Sequence, residues 1–190
     1  MMEDNEKKKM RIRKQSLILM PLILVAVACF FCSLGYFIMI ASGIPDHLHM
    51  PPEIRGLGII MMAIGFFFLC WMFRYRKLSD FLNSTYLSMQ KTLMRTRLDD
   101  ASKRIEPLIL QGPQKHVRHP TYFSIVAIIL GLWLILDHTF LLFMAFLLFL
   151  WFNLVIYFEE KELKALYKGE YEAYASSVPR FFPSLKGKWH

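Results

Sequence analysis

"TYFSIVAIILGLWLILDHTFLLFMAFLLFLWFNLVIYF", residues Thr121 to Phe158, is uncharged on both sides of a single break, Asp137-His138. Roughly 20 apolar residues carry a helix across a hydrocarbon core. Thr139 to Phe158 meets that length, and Thr121 to Leu136 is short of it unless His119 and Asp137 sit at the interfaces. A break of two residues is a very tight turn, so the two stretches must form an antiparallel helical hairpin. Direction then fixes what meets at its open end. Arg118-His119 precedes the first arm and Glu159-Glu160 follows the second, so both charged sets arrive at one membrane face. Tyr171, Tyr174 and Arg180 follow closely enough to fold back over them.

Two more uncharged blocks, Ser16 to Ser42 and Gly56 to Phe73, precede the hairpin. With 55% hydrophobic residues and a mean hydropathy of +0.36, the chain is too apolar for an ordinary soluble domain. The expected fold is an all-α integral membrane protein of four to five transmembrane helices, with a C-terminal catalytic region on the cytosolic face. The first block is too long and too weakly bounded for a cleaved signal peptide and reads as an anchor. The head is expected to be mobile as far as about Gln15. The first helix should end near Ala41, before Ser42-Gly43-Ile44-Pro45, and the second should run from about Ile54 to Phe73. Leu78 to Leu98 has apolar residues at helical spacing and reads as a surface helix or a shallow fifth span. Beyond Glu160 the last helix should continue to about Tyr174. Residues 1–105 are read as N-terminal helices and connector, and 106–190 as the catalytic region.

The formal net charge is +8, and its placement matters more than its size. Of 23 Lys and Arg residues, six lie in the head, ten between Arg74 and Arg118, and six after Phe158. Arg55 alone falls between the first two spans. Cytoplasmic segments collect Lys and Arg in this way. Head, connector and tail are therefore expected inside, and the charge needs no nucleic-acid partner. Cys29, Cys32 and Cys70 fall in apolar blocks and read as small helix side chains rather than a redox pair. Gly56-Leu57-Gly58 opens an apolar span instead of following a strand, so it is no nucleotide fingerprint.

The inner end of the hairpin brings cationic groups, two carboxylates and several tyrosines beneath an apolar wall. Such a site suits a zwitterionic cofactor and a lipid-bearing substrate. The same charges also fit plain span-end anchors and a solvated helix end. A metal held by His116, His119 and a glutamate would have Arg118 as an adverse neighbour, and no metal site is expected.

Gly112-Pro113, Val117-Arg118-His119-Pro120 and Tyr122 resemble the Arg-His-Pro-x-Tyr signature of the isoprenylcysteine carboxyl methyltransferases and their phospholipid methyltransferase relatives. Glu159-Glu160, Leu163, Glu170-Tyr171, Tyr174, Val178-Pro179-Arg180 and Pro183 agree in order and spacing. The resemblance covers about Glu106 to Pro183 and is closest in size to the compact prokaryotic-type members. It implies S-adenosylmethionine bound in the C-terminal half from the cytosolic side. The implied contacts are Glu106, Pro107, Leu108, Ile109, Gln114, His119, Pro120, Thr121, Tyr122 and Glu159, with Arg118, His119 and Glu159 as the catalytic set. Three departures stand out. Ser124 occupies a usual glycine position. Tyr167-Lys168 replaces a Phe-Gly pair, with Gly169 displaced by one. Val155 stands where eukaryotic members carry an arginine, leaving Arg118 or Arg180 to receive a substrate carboxylate.

The resemblance implies carboxyl methylation of a prenylated cysteine or another lipid-bearing substrate in the bilayer. A carboxylate is ionised at neutral pH, so its methylation needs alignment and water exclusion rather than a base. An amine acceptor, as in a phospholipid N-methyltransferase, would make Glu159 or Glu160 the base. Sterol reductases with NADPH share a comparable C-terminal pattern but are much longer, and a non-enzymatic scaffold would bind no adenosine ligand.

Overall fold

A computed structural model describes residues 2–83, 85, 86 and 110–184, with side chains from Ser16 onward. The described residues form helices and no strands. Helix α1 spans Met2–Ser42, α2 Pro52–Tyr75, α3 Pro120–Leu136 and α4 Thr139–Ser177, with a 3-10 turn at Gly112–Lys115. The chain divides into two compact units. One holds Met1–Ala28 and Arg76–Leu108, and the other holds Cys29–Tyr75 and Ile109–His190.

In the first unit the charged head is helical from Met2, not irregular to Gln15. Its Glu, Lys, Met and Arg residues are strong helix formers, and they extend the apolar helix backward. Within 78–86, Leu82 and Asn83 are buried and Arg76 lies 5.5 Å from the Phe81 ring centre. Most of the amphipathic segment Leu78 to Leu98 falls outside the described residues.

Among the described residues, three helices are long and apolar enough to cross a membrane: Ser16–Ser42 of α1, α2, and α4. The expected third span, α3, is an apolar helix of only 17 residues. Ile18, Val25, Phe37, Ile59 and Phe67 are each more than half exposed, which suits lipid as their solvent.

In the second unit, α2 and α3 are antiparallel and nearly touch. A Cβ on Gly58 would lie 2.8 Å from the Gly131 carbonyl oxygen, and one on Gly65 would lie 2.8 Å from that of Ser124. Small residues two turns apart on both helices thus open a seam along which the backbones meet. This gives Gly58 its meaning, which is packing. Ser124, at the position where glycine is usual, is fully buried in the same seam and donates its hydroxyl to the Pro120 carbonyl at 2.8 Å. Gly35 of α1 similarly sits against the Phe140 carbonyl of α4.

The turn between α3 and α4 is held from outside. Asp137 takes a left-handed φ of 60°, and its carboxylate accepts the Leu48 and Met50 amides, both at 3.1 Å. Burial alone would raise its pKa, but the amides of Met50, Leu48 and His49 outweigh this and hold it below the ordinary carboxylate value. Helix α4 reaches Ser177 but breaks at Lys168, where φ is 41° and ψ is −128°. The expected end near Tyr174 is therefore three residues short, and the expected continuous helix is two helices joined by a kink.

Candidate active site

The site is built where α3 begins. Gly112 takes a φ of +61°, and a Cβ there would lie 2.5 Å from the Tyr75 ring, so only glycine fits. The chain then passes through the buried Pro113 and Val117 to Pro120, whose fixed φ opens α3. The C-terminal segment lies against this entry. Arg118 N–H donates to the Pro179 carbonyl at 3.0 Å, and Ser184 N–H to the His116 carbonyl at 2.9 Å. The His116 Nδ1 lies 2.9 Å from the Ser184 carbonyl. Tyr174 donates to the Gln114 carbonyl at 2.8 Å, tying the helix beyond the kink to the same loop.

Glu160 is the hub. Its Oε1 lies 3.3 Å from Arg118 Nη1 and 3.3 Å from His119 Nε2, and its Oε2 lies 3.1 Å from Arg180 Nη2. Both His119 and Glu160 are buried, so these pairs are little screened. Glu159 takes the other side of the imidazole, with Oε2 3.6 Å from His119 Nδ1. Its Oε1 accepts the Tyr122 hydroxyl at 2.8 Å. As an imidazolium, His119 would donate toward both glutamates at once. The ring stacks on Tyr122 at 5.8 Å, and Tyr122 on Phe152 at 4.7 Å, which fixes its plane. Tyr171 is buried with its hydroxyl beside Arg118 but in no well-aligned hydrogen bond.

The expected residues are thus partly gathered. Arg118, His119, Tyr122, Glu159 and Arg180 converge, and Pro120 and the Gln114 backbone frame them. Thr121 instead turns to Met72 of α2, with Oγ1 2.7 Å from its sulfur. Val155 is half-buried, a helical turn before Glu159. Glu106, Pro107, Leu108 and Ile109 lie outside the described residues. The sequence named the Glu159-Glu160 pair but gave the contact role to Glu159, whereas the arginines turn to Glu160. At the end of an apolar span no periodic pattern tells which of two adjacent glutamates faces inward.

An open apolar groove of about 750 Å³ is lined by Ile60, Ile64, Phe67, Trp71, His116 and Phe123 among others, and by none of the clustered charged residues. Its aromatic and aliphatic walls suit an apolar chain.

The chain matches the family model for phospholipid methyltransferases over residues 54–170. It belongs to that family. The match begins inside α2 and ends just after the kink, so it takes in the Arg118 to Glu160 cluster and stops short of Arg180. No curated protein and no solved structure matches the chain. Phospholipid methyltransferases are membrane methyltransferases that generally use S-adenosylmethionine.

The residues present fit that cofactor. Arg118 Nε and Arg180 Nε are buried N–H donors with no partner, and could take its carboxylate. Glu159 is the more exposed of the two glutamates.

Proposed function

We propose that this phospholipid methyltransferase relative is an S-adenosylmethionine-dependent enzyme that methylates the amine of a membrane lipid. The observation that carries the choice of acceptor is the double engagement of Glu160 by Arg118 and Arg180. With Val155 in the position of the family arginine, each described arginine at the cluster already has a carboxylate partner. The charged group left to meet an acceptor is Glu159, which suits a cationic head group.

When bound, S-adenosylmethionine supplies an electrophilic methyl group on a sulfonium. An amine must release its proton before its lone pair can attack, and Glu159 is the carboxylate placed to take that proton. Tyr122 donates to one Glu159 oxygen and leaves the other facing His119, which orients the carboxylate. Burial of His119 and Glu160 limits water at the cluster, and the apolar groove could hold a lipid chain. A cytoplasmic position for the cluster follows from the positive-inside charge distribution, and a reporter fused after Gly187 should read cytoplasmic.

Carboxyl methylation of an isoprenylcysteine-type substrate is the second reading, supported by the unpartnered Nε–H groups of Arg118 and Arg180. The deciding assay gives purified enzyme in lipid nanodiscs methyl-labelled cofactor with either phosphatidylethanolamine or a farnesylated cysteine analogue. Label on the phospholipid is the expected result. Base-labile label on the farnesylated acceptor alone would replace the amine reading with the carboxyl one, and label on neither would remove both.

A further inference from the structure

At the end of the helices opposite Glu160, the loop between α1 and α2 meets the turn between α3 and α4. Asp46, His47 and His138 gather there, with one ligand atom from each within 4.8 Å of the others. His138 Nδ1 lies 3.0 Å from Asp46 Oδ2, and His47 Nε2 lies 3.6 Å from the same oxygen. The two imidazoles lie 4.5 Å apart. The geometry points to a divalent transition-metal site here, of the zinc class, outside the methyl-transfer machinery.

Two observations support a cation between these groups. Tetrahedral zinc with bonds of about 2.0–2.1 Å places neighbouring ligand atoms roughly 3.3 Å apart. The measured 3.0 and 3.6 Å bracket that value. The second is the orientation of His47. Its Nδ1 lies 3.1 Å from the Asp137 main-chain oxygen, which can only accept, so the proton sits on Nδ1. That tautomer turns Nε2 toward the Asp46 carboxylate, 3.6 Å away. Backbone carbonyls hold metal-binding imidazoles in this tautomer as a rule. One shared dication serves both nitrogens and the oxygen together.

Two nitrogens and one oxygen favour zinc-class ions over calcium or magnesium, which take all-oxygen shells. Three protein ligands leave a position for water. The loops are already stitched by Thr139, whose amide donates to the Asp46 carbonyl at 2.7 Å, so the ligands are presented on a braced frame. The sequence reading weighed a metal at His116 and His119 alone, and these ligands come from two loops about ninety residues apart.

The test uses full-length protein in detergent, purified without a histidine tag and stripped with chelator, then dialysed against zinc and counted by elemental analysis. One zinc per chain is expected, with a rise in unfolding temperature, and cobalt should give the strong visible absorption of a tetrahedral site. H47Q and H138Q should each weaken zinc binding at least about 10-fold, and the double variant should abolish the cobalt spectrum, while calcium at equal concentration should not compete. H47Q alters an exposed side chain, so its fold is not at issue. No stoichiometric zinc, or equal binding by wild type and the double variant, would overturn the site.

Discussion

Arg180 reaches Glu160 at 3.1 Å from a segment beyond the end of the family match, and it shares that carboxylate with Arg118. The two glutamates therefore do different things. Glu160→Gln strands two guanidinium groups in a largely buried cluster, and breaking a buried pair this way destabilises by roughly 3–5 kcal/mol. Partial exposure of Arg180 should bring it to the low end. Glu159→Gln keeps the shape and the Tyr122 contact, so the unfolding temperature should hold while methyl transfer falls at least about 10-fold. Thermal unfolding and turnover of both variants check this, and the same loss of stability in each would erase the distinction.

Arg118 uses Nη1 on Glu160 and keeps Nε–H unpartnered. Arg118→Lys retains a charge at the membrane surface but cannot supply both directions from one planar group. Membrane insertion should be unchanged and cofactor affinity should drop about 10-fold, read by equilibrium binding of a labelled cofactor analogue. Full affinity in the lysine variant would reduce Arg118 to an anchor.

Lys168 adopts a φ of 41°, where the resemblance would put glycine and the chain has moved its glycine to position 169. A side chain in such a conformation stores roughly 1–3 kcal/mol of strain. Lys168→Gly should therefore stabilise the protein by about 1 kcal/mol without moving Tyr171 or Tyr174. A chemical or thermal unfolding comparison decides it, and a clear loss of stability would mean the kink is not strained.

The seam of α2 and α3 has no spare room, since a Cβ on Gly131 would lie 2.7 Å from the Gly58 carbonyl oxygen. Gly58→Leu or Gly131→Leu should part the helices and destabilise by roughly 1–3 kcal/mol. Gly56→Leu, on the same helix with open space around its Cα, should be nearly neutral and serves as the control.

Much of the site was legible because span direction alone brings Arg118-His119 and Glu159-Glu160 together. The tight Asp137-His138 turn was enough to fix it. What the sequence did not reveal was phase and contact. Which of two adjacent glutamates turns inward depends on α4 packing, and Gly58 looked like noise because its partner, Gly131, lies more than seventy residues away. Asp46, His47 and His138 meet only through tertiary packing.

Helix α3 has 17 residues, and at 1.5 Å each it rises only about 25 Å. That is some 5 Å less than an average hydrocarbon core, and bilayers respond to such a shortfall by thinning locally. Because His119 and Pro120 begin that helix, the dimple would form directly over the glutamates. Lipid head groups would then sink toward Glu159, and turnover should rise in bilayers of shorter-chain lipids and fall in thicker ones.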